Sequence, residues 1–319
     1  MGDDRQYEAN GELPHPYDLW ATVRFLRMGG GDPTAKASAS QYRYATWIDD
    51  EAATVDTVVE SGHWRARAWG PAAERALELL PERLGLGRPL RSAPPDHPAL
   101  KRLSKRHPGL HIAASHSLAE ALVPTICQQK VTWADATQSW RALVQRWGAP
   151  APGPLGLWLP PSLSDLAQQT TAALRQAGLP QQRAHAIIEV ARRRRRVDAL
   201  LERPDLRRRL SSIPGLGPWT IESTLGLWMG DDDAIPPGDV HLPNTVAWAL
   251  AGEPRASDAR MFELLKPWSG RRFHVMRLLY AEGVMAPRYG PKMSPRRRPG
   301  ALADPSLPRG GRRRILRDP

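Results

Sequence analysis

Two short runs carry residue types that could do chemistry. The first, Ile213-Pro214-Gly215-Leu216-Gly217-Pro218-Trp219-Thr220, ends one helical pattern and opens another. Its glycines let the backbone turn tightly and come close to a ligand. Pro218 suits a first helical position, and the helix it opens directs unpaired N–H groups outward, an arrangement that fits a phosphate. The second run, Gly238-Asp239-Val240-His241-Leu242-Pro243, sets one carboxylate directly before a helical pattern carrying Val246, Trp248, Ala249 and Leu250. An aspartate so placed is most often an N-cap. It is also a group that can stabilise growing positive charge and orient a water molecule. A Pro-Gly turn joins many helices and a capping aspartate opens many more, so neither is diagnostic alone. The pair, about 22 residues apart, is far more specific.

The elements that must hold these runs are helical. Leu206, Leu210 and Ile213 recur at helical spacing ahead of the turn, so residues 205–229 read as a helix-hairpin-helix. Upstream, Ser117-Leu118-Ala119-Glu120 has capping-box form and starts a helix with Leu118, Ala121, Leu122 and Ile126 on one face. Ala136, Trp140, Leu143, Val144 and Trp147 form an apolar stripe, which reads as core and not as a stacking platform. One helix is expected from Leu163 to Ala177, stopped by Gly178. Another carries Ala184, Ile187, Ile188 and Ala191 and runs into Arg192–Arg196. Five consecutive arginines spread around a helix and cannot all meet one ligand. A solvated helix end is the plain reading, and a phosphate-facing subset is the alternative. Ser257-Asp258 caps a further helix, and a last one carries Phe273, Met276, Leu279 and Tyr280 before Gly283.

The N-terminal third differs. Residues 1–13 are polar and expected to be loose, and Gln41–Ala68 reads as three short strands broken by Asp49-Asp50-Glu51 and Ser61-Gly62. A helical pattern with Ala73, Leu77, Leu80 and Leu84 follows, then a proline-rich linker from Pro89 to Pro98. The expected class is α+β, with a small antiparallel β-rich unit over residues 1–95 and an all-α body over 96–283. Residues 284–319 hold seven prolines and ten Lys and Arg against two Asp. They are expected to be disordered and to add salt-sensitive affinity for a polyanion.

The formal net charge of the 319 residues is +12, which favours a polyanionic partner. Most of the excess sits in the tail, so the body must bind through a patch and not through bulk charge. Cys127 is the only cysteine; it permits no internal disulfide and cannot supply the four thiolates of an iron-sulfur cluster. A polar N-terminus and the lack of a long apolar run lead us to expect a soluble, cytoplasmic protein without a membrane span.

The hairpin IPGLGPWT followed by GDVHLP resembles the helix-hairpin-helix superfamily of DNA base-excision glycosylases, and within it the 3-methyladenine DNA glycosylase II branch, from about Pro14 to about Gly283. The resemblance implies a β-rich domain packed on a helical glycosylase body, with double-stranded DNA as partner and a monomer as the working form. It makes Asp239 the catalytic carboxylate that stabilises charge at C1′ of the deoxyribose as the damaged base leaves. The target base must be rotated out of the duplex, and the resemblance assigns the intercalating wedge to Gln129. It assigns the base pocket to Trp219 and Phe25, with Tyr280 next to an expected stacking position; Glu222, one turn after Trp219 on the same helix face, adds a carboxylate to that pocket, and Gly215, Leu216 and Gly217 make the DNA grip. No cofactor is implied beyond a monovalent cation, Na+ or K+, on the carbonyls of Ser211, Ile213 and Leu216. Members that also nick the strand carry a lysine at the second position after the hairpin's last glycine. Here that position is Trp219, so monofunctional hydrolysis is expected, with alkylated purines as substrates. Leu279, Val240 and Ser223 stand where the branch carries aromatics, which points to an altered pocket. The alternative is a non-catalytic DNA-binding protein that recognises damage through the same hairpin.

Overall fold

The structure is a computed structural model and describes residues 6–87 and 97–287. The N-terminal unit is a five-stranded antiparallel sheet of β1 (Gln6–Glu12), β2 (Ala35–Ala37), β3 (Gln41–Ile48), β4 (Glu51–Glu60) and β5 (His63–Trp69), in the order β1-β5-β4-β3-β2. Tight turns at Asp49-Asp50 and Ser61-Gly62, all in the left-handed region, connect β3 to β4 and β4 to β5. Helix α1 (Leu19–Val23) crosses from sheet to body, while α2 (Ala73–Glu78) and α3 (Leu80–Arg83) close over the sheet. Tyr42, Val55, Ala68, Leu77, Leu80 and Leu84 form its core.

Strand β1 corrects the expectation of a loose N-terminus: Gln6–Glu12 pairs with β5 along its whole length. Its outer face is polar and its inner face brings only Tyr7 and Ala9 against the sheet core, too little apolar surface for the alternation to mark a strand. The partner supplies the order. A side chain at Gly11 would begin 2.6 Å from the Trp64 ring, so this glycine lets the tryptophan lie across the edge strand.

The body is built from α4 (Pro98–Arg106), α5 (Leu118–Cys127), α6 (Trp133–Trp147), α7 (Leu163–Gln168), α8 (Thr171–Gln176), α9 (Gln181–Arg192), α10 (Arg194–Asp198), α11 (Leu206–Ser211), α12 (Pro218–Leu227), α13 (Leu242–Ala251), α14 (Asp258–Leu265) and α15 (Arg272–Glu282). A two-residue strand pair, Ala149–Pro150 with Trp158–Leu159, lies between α6 and α7. Half of the expected capping box forms: the Ser117 hydroxyl accepts from the Glu120 N–H at 3.1 Å, while the Glu120 carboxyl turns to the Thr46 hydroxyl instead of back to the Ser117 N–H. The single helix expected over 163–177 is two helices. Gln169 is extended, and the Thr170 hydroxyl caps the restart by accepting from the Ala173 N–H.

Helix α5 is buried along its whole length and packs against α6, α9 and α12. The second helix of the hairpin is thereby seated in one core with Ile126, Ile187, Leu210, Ile221 and Leu225. A second core joins α4, α13, α14 and α15 through Leu242, Val246, Met261, Leu265 and Phe273. The two meet where Gly226 of α12 faces Phe273 of α15; a Cβ at Gly226 would lie 2.5 Å from that ring. Only glycine allows the close approach that fixes α12 against α15 and so fixes what each presents to the site.

The sheet unit is not separate from the body. Leu26 and Met28 lie in the α5 core and Ala21 in the α15 core, while the Trp47 indole donates to the Pro160 carbonyl at 2.8 Å. Most of the basic tail and of the 89–98 linker lies outside the described residues. Among the described residues, no helix is long and apolar enough to cross a membrane.

Candidate active site

The hairpin forms as its sequence requires. Leu210 and Ile213 anchor α11 in the core, the Leu216 N–H closes the turn onto the Ile213 carbonyl at 3.1 Å, and Pro218 opens α12. Gly215 has φ +88°, and a Cβ there would meet the Ala186 Cβ at 2.6 Å. It is glycine for two independent reasons. Gly217 has φ −83° and open space where its side chain would be. Nothing within the protein demands its smallness, and this is the face on which something outside could come close. Among the described residues neither the Gly215 nor the Gly217 N–H is used internally.

Asp239 is held by both ends of its carboxylate. One oxygen accepts from the His241 and Leu242 N–H groups at 2.8 and 2.9 Å, at the start of α13. The other accepts from the Trp219 indole at 3.0 Å. The hairpin and the aspartate motif thus converge through a direct side-chain bond between α12 and the head of α13. The carboxylate is only partly buried, and Val240 beside it is 70% exposed. It is fixed in orientation yet open on one side, as an electrostatic stabiliser must be.

Phe25 and Tyr280 come together on the same side, with ring centroids 6.0 Å apart and the planes tilted by 35°. Burial pushes the Tyr280 phenol well above its ordinary range, and the Asp239 charge pushes it further. The phenol therefore stays a neutral hydroxyl near the carboxylate. Trp219, Asp239, Tyr280 and Phe25, though distant in sequence, line one region. Leu279 is wholly buried in the core and offers no wall. Ser223 is likewise buried.

One expectation is corrected. Glu222 does not bring a free carboxylate to this region. Arg207 donates Nε to one Glu222 oxygen at 2.7 Å and an Nη to the other at 3.0 Å, while also reaching Asp231 at 2.8 Å. The pair lines a different concavity of about 300 Å³ with Pro218, Asp233, Phe262 and Arg272. Three residues after Trp219 is one turn of helix, but the basic face of α11 claims the side chain. Gln129 is not projecting: its amide donates to the Gly215 carbonyl and the Thr220 hydroxyl, both at 2.9 Å. It braces the hairpin in this state and must release it to enter a duplex.

The arginine run is largely committed to the protein. Arg193 pairs with Glu189, Arg194 with Asp50 at 2.9 Å, and Arg192 donates to the Ala167 carbonyl at 3.3 Å. Arg195 and Arg196 are exposed. Arg193 also breaks the helix between α9 and α10. Cys127 is a buried free thiol at the end of α5, with burial pushing it up to about 12. It is inert core, not a reactive group.

Sequence reasoning missed Arg24 and Arg277. The Arg277 guanidinium lies 4.5 Å from the Phe25 ring centroid and that of Arg24 lies 4.8 Å from it. Arg277 is 1% exposed and donates to the Ala21 carbonyl at 2.6 Å. A signal was present, since an arginine between Met276 and Tyr280 falls on the apolar face of the last helix.

With this geometry in hand, comparison with known proteins is informative. Residues 123–270 match the family described as HhH-GPD superfamily base excision DNA repair protein. DNA-3-methyladenine glycosylase 2 of Escherichia coli (strain K12) is 27% identical over 190 residues, 58% of this chain and 65% of that protein. The chain spans less than two thirds of the length of the curated relatives it matches. The fold is that of the 3-methyladenine DNA glycosylase from Archaeoglobus fulgidus, with a TM-score of 0.73 at 22% identity over 86% of this chain and 97% of that one. It is also that of the Clostridium acetobutylicum 8-oxoguanine glycosylase/lyase in complex with dsDNA, with a TM-score of 0.63 at 14% identity over 89% and 99%. The matched span contains the C-terminal half of α5, the whole hairpin and the aspartate motif, and over that span the chain is similar to the HhH-GPD superfamily of base excision DNA repair proteins.

Proposed function

We propose that this protein is a monofunctional DNA glycosylase that hydrolyses the N-glycosidic bond of damaged purines in duplex DNA, with alkylated purines as its substrate class. The observation that carries the reading is the Asp239 carboxylate, held open-faced by the α13 N–H groups and the Trp219 indole beside a hairpin with outward N–H groups. The hairpin grips a phosphate through the Gly215 and Gly217 N–H groups, which gives affinity without sequence preference. Gln129 leaves its brace and fills the space vacated by the flipped base. The base enters between Trp219 and the Phe25–Tyr280 side, with C1′ of its sugar close to Asp239. As the bond to the base lengthens, positive charge grows on the sugar and the carboxylate stabilises it. Water adds to C1′ and leaves an abasic site.

Trp219 stands where strand-nicking members carry the lysine nucleophile, so no Schiff base forms there and water is the acceptor. A monovalent cation would sit on the carbonyls of Ser211, Ile213 and Leu216 and bridge to the phosphate. The Ile213 carbonyl accepts the Leu216 N–H and keeps a second lone pair, which is compatible with weak coordination. The reaction needs no other cofactor. The enzyme works as a monomer in the cytoplasm, and the basic residues beyond 284 add non-specific affinity.

The test is a panel of duplexes carrying 3-methyladenine, 7-methylguanine, hypoxanthine or 1,N6-ethenoadenine, assayed for abasic sites and trapped with borohydride. We expect base release with no covalent adduct. An adduct would contradict hydrolysis by water. Binding to lesion duplex with no release of any base would leave the non-catalytic, damage-recognising alternative in its place.

A further inference from the structure

The Phe25 ring sits within reach of two guanidiniums, and neither has a carboxylate partner in hydrogen-bond contact among the described residues. Arg277 is wholly buried and donates one Nη to the backbone carbonyls of Ala21 and Thr22. Arg24 donates to the Tyr280 carbonyl at 2.7 Å. The Nε of each is buried without a hydrogen-bond partner among the described residues. Asp18 is the acid that acts on Arg24, but its carboxylate is spent capping α1 at the Ala21 N–H. Desolvation lowers the Arg277 pKa to about 9, so its charge persists at neutral pH. His274, behind it, is pushed down to about 4 and is neutral there.

We propose that Arg24 and Arg277 set the selectivity of the base pocket, favouring neutral purine lesions, which leave as anions, over purines that carry a fixed positive charge. The inference rests on the glycosylase reading above and narrows it. An aromatic face attracts a cationic base through its quadrupole, but here that face is already engaged by two cations of the protein. A purine alkylated to a cation would enter a pocket whose floor repels it. For a neutral purine the balance is reversed. Its C1′–N9 bond breaks with both electrons going to the base, so negative charge develops on the leaving group. Water adds to C1′, and the proton it gives up ends on the departed base. Two fixed positive charges near that base stabilise the anion in a site of low dielectric. A cationic purine leaves as a neutral molecule and gains nothing from them.

The experiment compares single-turnover release of 1,N6-ethenoadenine and hypoxanthine with that of 7-methylguanine, each divided by its spontaneous rate. The proteins are wild type, Arg277→Met and Arg24→Met. The wild type is expected to accelerate the neutral lesions more, by on the order of tenfold. Either variant should shift the ratio toward 7-methylguanine by several-fold. Greater acceleration of 7-methylguanine by the wild type would overturn the proposal, as would a ratio unchanged in the variants while both rates fall together, which is what lost packing alone would produce. Because Arg24 is only partly buried, its variant decides the matter if Arg277→Met does not fold. Failure to release any base would instead sink the glycosylase reading itself.

Discussion

Asp239 accepts three hydrogen bonds, two from the backbone and one from Trp219, so its position depends on a residue 20 places upstream. In the proposed reaction Trp219 has two roles that a variant can separate. Trp219→Phe keeps an aromatic wall but removes the indole donor, and a hydrogen bond to a charged group contributes about 1.5–3 kcal/mol. We expect base release to fall about tenfold or more with the thermal midpoint little changed, because the bond lies at a half-exposed surface. Single-turnover kinetics beside a melting curve would check this. An unchanged rate would mean that the backbone donors alone position the carboxylate. Glu222 is the opposite case: in sequence it looks like a second pocket carboxylate, yet Arg207 neutralises it in another groove. No helical period reveals that, because the partner comes from the helix on the far side of the turn.

Among the elements, the hairpin was legible because its rules are local. Pro218 at the first helical turn, Gly215 in a left-handed turn, the Ser117 cap and the Gly283 stop each depend on backbone geometry within a few residues. Elements defined by their neighbours were not legible. Strand β1 turns only Tyr7 and Ala9 toward the core and exists because β5 pairs with it, and the 163–177 stretch is split by a Thr170 cap hidden among glutamines and threonines. Gln129 was legible as a residue at a helix end but not as a brace on the hairpin, because its acceptors lie about 90 residues away. The two hairpin glycines give a contrast. Gly215→Ala forces a left-handed alanine against Ala186 and should cost about 1–3 kcal/mol in urea unfolding. Gly217→Ala meets open space and should cost less than about 0.5 kcal/mol. Both should weaken DNA binding, Gly217→Ala without the loss of stability. Full affinity in Gly217→Ala would remove the outer face of the hairpin from the account.

At the scale of the whole molecule, sheet and body are joined across a buried polar seam. Glu120 of α5 lies beneath β3, where the Thr46 hydroxyl approaches it at 3.4 Å. Arg83 stacks on Tyr44 at 4.0 Å and bonds the Tyr42 hydroxyl at 3.1 Å. Burial, with the nearby Asp198 charge adding to it, raises the Glu120 pKa to about 8. A carboxyl whose folded pKa lies above its unfolded value holds its proton in the native state. Its contribution is therefore complete below the unfolded pKa and is lost as pH rises toward 8, at no more than ~1.4 kcal/mol per pH unit. His116 in the same seam is held down to about 4, chiefly by burial and then by Arg83. Its effect has the opposite sign and is confined to acid below its unfolded value, so the window from about pH 6.5 to 8 is free of it. Unfolding free energy should decline across that window in the wild type and not in Glu120→Gln. A parallel decline in both would assign it to another carboxyl, such as Asp198, whose pKa burial also raises.

In the proposed reaction Asp239 carries the chemistry. The most direct measurement is single-turnover base release by Asp239→Asn on a lesion that the wild type excises, with DNA affinity measured alongside. Asparagine keeps an oxygen for the His241 and Leu242 N–H groups but no charge for the sugar. The account predicts a loss of about 10²-fold or more in rate with binding retained. Equal rates in the two proteins would contradict it.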